Sequence, residues 1–254
     1  MDIDLERRFG GISRLYGTDG YARLRNAHVA VIGIGGVGSW AAEALARSGI
    51  GEITLVDLDM VNEANTNRQL HALDDEYGKA KVTVMAARIQ AINPHCTTHC
   101  LEEFITPENC ASLLPKQLTG VIDAIDQVKA KAALIAHCHG LDIRIVTAGA
   151  AGGQIDPTRI RLADLARTEQ DPLLAKVRSL LRRQYGFPRK PREKFGIPAV
   201  YSEEALRYPE RGESCATETS VTGLHCAGFG SSVCVTATFG LAAAAYLMRE
   251  IAQS

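Results

Sequence analysis

Along the first 150 residues, short runs of consecutive apolar positions alternate with segments whose apolar residues recur every three or four places. Runs of the first kind predict strands buried on both faces, and recurrence of the second kind predicts amphipathic helices. The segment LERRFGGISRLYG is amphipathic and precedes AHVAVIGIGGVGSW, whose apolar run ends in glycines and reads as a parallel strand entering a tight turn. A helix should begin near Gly36, continue through SWAAEALARSG and close at Gly49 in the C-cap region. EITLVDLD then predicts a strand, EYGKAKVTVMAARIQAIN a helix stopped by Asn93-Pro94, TGVIDAID a strand, KAKAALIAHCHG a helix and LDIRIVTAG a strand. This rhythm predicts an α/β fold with a doubly wound, mainly parallel sheet of Rossmann-like type.

Beyond about residue 150 the rhythm changes. AGGQIDPTRIRLADLART reads as a hairpin or strand pair with a Gly-rich approach, and PLLAKVRSLLRRQYG as a helix, so a C-terminal α/β extension is expected. The apolar tract from Ser231 to Met248 approaches the length of a membrane span, but it is rich in Ala and Thr and interrupted by Gly240. A buried helix is therefore the preferred reading, with no integral span expected and peripheral membrane association through this helix as the alternative.

The chain has 254 residues, 46% of them apolar, and a formal net charge of −1. With so little net charge, a nucleic-acid partner would have to be met by a local basic patch. One such cluster lies between Lys176 and Lys194, where Arg178, Arg182, Arg183, Arg189, Lys190 and Arg192 face the single acid Glu193. It reads either as a solvated helix face followed by a Pro-containing loop or as an RNA contact. The start, MDIDLERRFGG, lacks the pattern of a secretory signal, and the seven cysteines lack the density of a disulfide scaffold; a cytoplasmic protein is expected.

Gly33, Gly35 and Gly38 form G-x-G-x-x-G between the first strand and its helix, where backbone amides and the helix N-terminus favour phosphate. Asp57 and Asp59 follow the second strand, where a ribose partner belongs. Those features alone would suit an NAD-dependent dehydrogenase. The next residues favour ATP instead: Arg68, flanked by Asn65 and Asn67, and Lys81 place two cations where a triphosphate cleaved between its α and β groups develops charge. Asp126, ending VIDAID, lies on the ligand-binding end of the sheet and would suit a magnesium ion.

GIGGVGSWAAEALARSGIGEITLVDLDMVNEANTNRQ, then GKAKV and VIDAID, resembles the adenylating domain of the ubiquitin-activating-enzyme superfamily. Within it, RRFGG, RLYG, NRQLHAL, AGGQIDPT, DPLLAKVR and VTATFG are similar to a bacterial branch of tRNA-modifying dehydratases, across nearly the whole chain. The resemblance implies ATP-dependent cyclisation of N6-threonylcarbamoyladenosine beside the anticodon. It also implies a homodimer, with residues 1–150 as nucleotide-binding half and 151–254 as substrate and dimer-contact half of one domain. Carried over by residue, it places Gly35 and Gly36 at the phosphates, Asp57 on the ribose, Arg68 and Lys81 on the phosphates, Asp126 on magnesium, and Arg8 or Arg14 at the partner's ATP; Asn67, beside Arg68, is a further nucleotide-binding candidate from its position. Gln127 departs from the Asn or Ser usual after that Asp. The paired C-x-x-C motifs of sulfur-carrier-activating relatives are missing, so their structural zinc is not expected. The alternatives are adenylation of a sulfur-carrier C-terminus, or a nucleotide-binding scaffold with a sulfur-transfer partner.

Intramolecular ring closure needs no enzyme nucleophile, so Cys215 and Cys226, in a Gly-rich polar region, read as idle thiols rather than acyl or sulfur acceptors. HCTTHC, from His95 to Cys100, looks like a metal cluster but alternates as a strand, which sends its His and Cys residues to opposite faces. His137 and His139 fall near a helix end, where capping or solvent exposure is the ordinary role.

Overall fold

The computed structural model describes residues 4–190, 193–208 and 229–254. In chain order its elements are α1 (Leu5–Asn26), β1 (His28–Ile32), α2 (Gly38–Arg47), β2 (Glu52–Val56), α3 (Lys81–Ile92), β3 (Thr97–Leu101), α4 (Cys110–Leu113), β4 (Gly120–Asp123), α5 (Val128–Gly140), β5 (Arg144–Ala148), β6 (Ile160–Asp164), α6 (Pro172–Gln184), β7 (Pro198–Ser202) and α7 (Val233–Gln253). The seven strands form one sheet in the order β3-β2-β1-β4-β5-β7-β6. All neighbours are parallel except β6, which runs antiparallel to β7 at the edge.

Successive strand residues face opposite layers, which splits the interior into two cores. Val29, Val31, Ile53 and Leu55 pack with α1, α2, α3 and α7 on one side. Ala30, Ile32, Val121 and Ile145 pack with α4, α5 and α6 on the other. The chain steps outward from β1 to β2 and β3, then returns to β4 on the far side of β1, so the ends of β1 and β4 splay apart at a switch point.

The expected strands and helices of the first 150 residues are present, with shifts at their ends. α1 extends through Asn26 and kinks at Gly17, whose φ is +77°. α2 closes where expected, with Gly49 at φ +78°. α3 starts only at Lys81, because positions 74–78 form turns and the two residues after them are held by the chain leaving β2: Met60 bridges Ala80, and Val61 N–H donates to the Lys79 carbonyl at 2.8 Å.

The hairpin expected in residues 151–168 does not form. That stretch supplies β6 alone, and its partner β7 comes from the later run PAVYS. The C-terminal tract is a helix of the core, as expected: Val235, Phe239, Ala243, Ala244 and Leu247 of α7 are buried. Among the described residues no helix is long and apolar enough to cross a membrane.

Candidate active site

A cleft of about 390 Å³ opens where β1, β2, β4 and β5 end, at the switch point. It falls within the roughly 300–1,000 Å³ usual for small-molecule sites. One wall is the turn from β1 into α2. Gly33 takes φ +86° there, and a Cβ on Gly38 would overlap the Gly33 carbonyl, so the strand can run into the helix this tightly only with glycine at both positions. A Cβ on Gly35 would meet nothing closer than Gln69 Nε2 at 3.9 Å, which leaves that backbone open to the cleft, and one on Gly36 would press on Arg68 Cγ at 3.2 Å.

Asp57 follows β2 and is 7% exposed. Its Oδ2 accepts from Ile34 N–H at 2.6 Å and its Oδ1 from Asp59 N–H at 2.8 Å, so the carboxylate ties the glycine turn to the second strand. Burial pushes its pKa up, against the opposing pull of Lys81 and the two amides. Lys81, the first residue of α3, is 5% exposed and pairs through Nζ with Asp59 Oδ2 at 2.7 Å. Arg68 is half-buried beside Gly36; its Nη1 donates to the Ala64 carbonyl at 2.9 Å and to Asn67 Oδ1 at 2.8 Å. Trp40 holds its backbone by donating Nε1–H to the Arg68 carbonyl at 3.1 Å. Asn67 in turn donates to the Ser231 carbonyl at 2.9 Å, joining this loop to the segment before α7.

Opposite, the loop after β4 carries Asp126 and Gln127 into the cleft wall. A network beneath it is fully buried: Lys131 Nζ lies 2.9 Å from Asp123 Oδ2, which also accepts from Thr147 Oγ1 at 2.7 Å, while Asp123 Oδ1 accepts from Ile125 N–H at 3.1 Å. The remaining wall is the Gly149–Gly152 chain and the start of α6. Asp171 joins them, its Oδ2 accepting from Ala150 N–H and its Oδ1 from Leu174 N–H, each at 2.9 Å. Phe104, Ile125, Leu173, Leu206 and Phe229 add apolar lining suited to a flat base.

The structure thus brings Gly33, Gly35, Gly36, Asp57, Asp59, Arg68, Lys81 and Asp126 to one cleft, while Gly38 supports the turn from behind. Residues that pattern reading missed join them. Gln69 Oε1 and Thr236 Oγ1 are buried cleft-lining oxygens without a hydrogen-bond partner, two polar positions that a ligand's donors would satisfy. Gln69 stood in plain view after Arg68, whereas Thr236 arrives from α7, more than 160 positions away, with no local signal. His71, behind Lys81, has both ring nitrogens unpartnered, and burial together with the Lys81 charge holds its pKa down to about 4.

Other expected positions lie apart. Arg8 does not line the cleft; its Nη1 donates to the Ile92 carbonyl at 2.7 Å. In the basic cluster, Arg183, Arg189 and Lys190 are exposed, but Arg182 donates Nε–H to the Pro188 carbonyl at 3.1 Å and stacks 5.1 Å from the Phe195 ring centroid. Arg178 is half-buried and bonds Thr168 Oγ1. Arg192, Cys215 and Cys226 lie outside the described residues. His139 stacks on Phe187 with centroids 4.9 Å apart, in the last turn of α5.

The ThiF family profile matches residues 9–253. The tRNA threonylcarbamoyladenosine dehydratase of Haemophilus influenzae is 52% identical over 247 residues, covering 97% of this chain and 94% of that protein. Crystal structures of the Escherichia coli tRNA N6-threonylcarbamoyladenosine dehydratase with ATP and with AMP each superpose with a TM-score of 0.88 at 49% identity, covering 97% of this chain and 94% of that one.

Proposed function

The chain belongs to the ThiF family, and from that membership together with the cleft we propose that it is an adenylating enzyme that uses ATP to dehydrate N6-threonylcarbamoyladenosine in tRNA. The observation that carries the reading is the pair Arg68 and Lys81 on the rim of the glycine turn, in a cleft whose relatives were crystallised with ATP and AMP. The adenine fits the apolar lining, Asp57 the ribose hydroxyls, and the Gly35 amide the phosphates. The orphaned Gln69 and Thr236 oxygens accept from the ligand's hydroxyl or amino groups.

The threonyl carboxylate attacks the α-phosphorus, and the bond to the bridging oxygen breaks as pyrophosphate leaves with the electron pair. Arg68 and Lys81 carry the charge that develops there. Each exchanges a present partner for phosphate, and Lys81 gives up Asp59, whose side chain is 54% exposed and can be rehydrated at little cost. Asp126 would hold a magnesium ion, whose charge offsets that of the phosphate oxygens. The resulting acyl-adenylate is attacked by a carbamoyl nitrogen or oxygen of the same nucleoside, and a five-membered ring closes as AMP leaves; the nucleoside has lost one water. Because both reacting groups belong to one molecule, closure gains an effective molarity of about 10⁵ M or more without an enzyme nucleophile.

Arg183, Arg189 and Lys190 form the tRNA contact in this reading. The active species is a homodimer in which Arg8, with Arg14 as the alternative, reaches the neighbouring nucleotide from α1; Leu15, 73% exposed on that helix, supports a contact there. Incubation with ATP and threonylcarbamoylated tRNA should release pyrophosphate and yield a nucleoside lighter by one water. Release with a sulfur-carrier protein but none with tRNA would replace this reading by activation of a carrier C-terminus.

A further inference from the structure

We propose that His28, Glu52 and His99 form a binding site for one divalent transition-metal ion, zinc by donor chemistry, at the end of the sheet opposite the nucleotide cleft. The three residues lie on adjacent strands and project from one face: His28 of β1 is in register with Glu52 of β2, and His99 of β3 with Thr54, two places along from Glu52. Among the described residues they are the one trio of histidine, cysteine or carboxylate groups whose donor atoms all lie within 4.8 Å of one another.

The spacings suit a shared ion. Zinc–ligand bonds of roughly 2.0–2.1 Å in a tetrahedron put ligand atoms about 3.3 Å apart. Glu52 Oε1 stands 3.5 Å from His28 Nδ1 and 2.7 Å from His99 Nε2, so the observed gaps bracket that value and small side-chain rotations would equalise them. The support behind the donors is also in place. Thr54 Oγ1 lies 2.8 Å from His28 Nε2 and fixes the ring with Nδ1 toward Glu52, the outer bond that metal-ligating imidazoles need. His28 N–H donates to Thr119 Oγ1 at 3.1 Å, which fixes the backbone as well.

Pro115, Lys116 and Gln117 border an open cleft over the three groups, which leaves a fourth position for water. Lys116 is the neighbouring cation, and it is exposed and free to swing into solvent. Two imidazoles and one carboxylate favour zinc, nickel or copper over magnesium or calcium, which take all-oxygen sets. This donor set differs from the cysteine pairs of zinc-binding relatives, and it was invisible in HCTTHC because the alternation that divides that segment also delivers His99 to two other strands. A metal here would clip the edge strand β3 to β2 and β1.

The test is calorimetric titration of the full chain, stripped with chelator and free of nucleotide, with zinc chloride. The expected result is one ion per chain, weakened at least about tenfold in His99→Ala and in Glu52→Gln, with both variants checked for native circular dichroism. Cys100→Ser controls for the adjacent exposed thiol and should bind as the native chain does. Cobalt substitution should give a visible spectrum without a thiolate charge-transfer band. Pyrophosphate release with ATP and tRNA should be unchanged in His99→Ala, since His99 does not line the cleft and about four strand steps of roughly 3.3 Å along β1 and β2 separate His28 and Glu52 from it. The proposal is overturned by absence of binding to the native chain, by native affinity in His99→Ala, by loss of binding in Cys100→Ser, or by a thiolate band.

Discussion

Arg68 has little structural duty among the described residues, where its guanidinium bonds its own loop through Ala64 and Asn67. Arg68→Ala should therefore leave the fold intact and tRNA affinity unchanged while lowering pyrophosphate release about 100-fold or more, in line with removal of a positioned charge from a developing anion. Native rates in that variant would remove Arg68 from the role assigned to it. His71 gives a pH dependence. Its folded-state pKa of about 4 lies below the ordinary imidazole value, so the unfolded chain takes up the proton first. Stability is then fully present above about pH 6.5 and falls as pH drops toward 4, by about 2 kcal/mol between pH 7 and 5. Urea denaturation at those two pH values should show the loss in the native chain and a smaller one in His71→Leu. Of the cleft residues, Asp57, Arg68, Lys81 and Asp126 were legible because each stands at a fixed place relative to a strand end. Gln69 and Thr236 in the cleft, and His71 behind it, were not, because their importance lies in burial without a partner, a property of the packed molecule.

α7 was read correctly as a buried helix but not in its purpose, which is to close one layer of the core and deliver Thr236 to the cleft. Its contact with α2 is close enough that a Cβ on Gly240 would overlap the Val37 carbonyl and come within 2.9 Å of Ala41 N. Gly240→Ala should therefore destabilise the fold by about 1–3 kcal/mol through overpacking, although alanine is the better helix former, and urea denaturation would show it. A stabilised variant would mean that α2 and α7 can separate. Asp171 works in the same way at a second junction, capping α6 while holding Ala150 of the β5 exit. Asp171→Ala should cost about 1–2 kcal/mol as a lost cap and also raise KM for ATP, because the Gly149–Gly152 wall loses its tether. The sheet interior was the easiest part of the fold to foresee, since two-sided burial writes itself as unbroken apolar runs. β6 and β7 were harder. Their pairing joins residues separated by the whole of α6, and β6 lies at the edge with a mixed pattern that leaves Arg161 and Leu162 exposed, so neither periodicity nor a turn signal announces it.

At the scale of the molecule, α6 links the cleft to the basic cluster. Pro172 and Leu173 at its start line the cleft, and Arg183 stands in its last turn. From Pro172 to Arg183, eleven rises of about 1.5 Å make the separation roughly 17 Å. In the proposed reading, that spacing would let a nucleotide enter the cleft while the backbone of the same RNA arm, a few nucleotides away, meets Arg183, Arg189 and Lys190. The cluster is not uniform, since Arg178 is engaged with Thr168 ahead of α6, and Arg182 with Pro188 and Phe195, which holds the end of α6 to the following loop. With a formal net charge of −1, the chain has no overall field to attract RNA, so this patch must supply the long-range attraction in the proposed reading. Replacing Arg183, Arg189 and Lys190 with glutamine should weaken tRNA binding and reduce the slope of log affinity against log salt by about two, from roughly 0.7 per single-strand phosphate contact. The ATP-dependent rate at saturating tRNA should stay near native, because none of the three lines the cleft. Arg182→Gln should act differently, lowering thermal stability more than it changes the salt slope. An unaltered slope in the triple variant would move the RNA-binding surface to another face of the molecule.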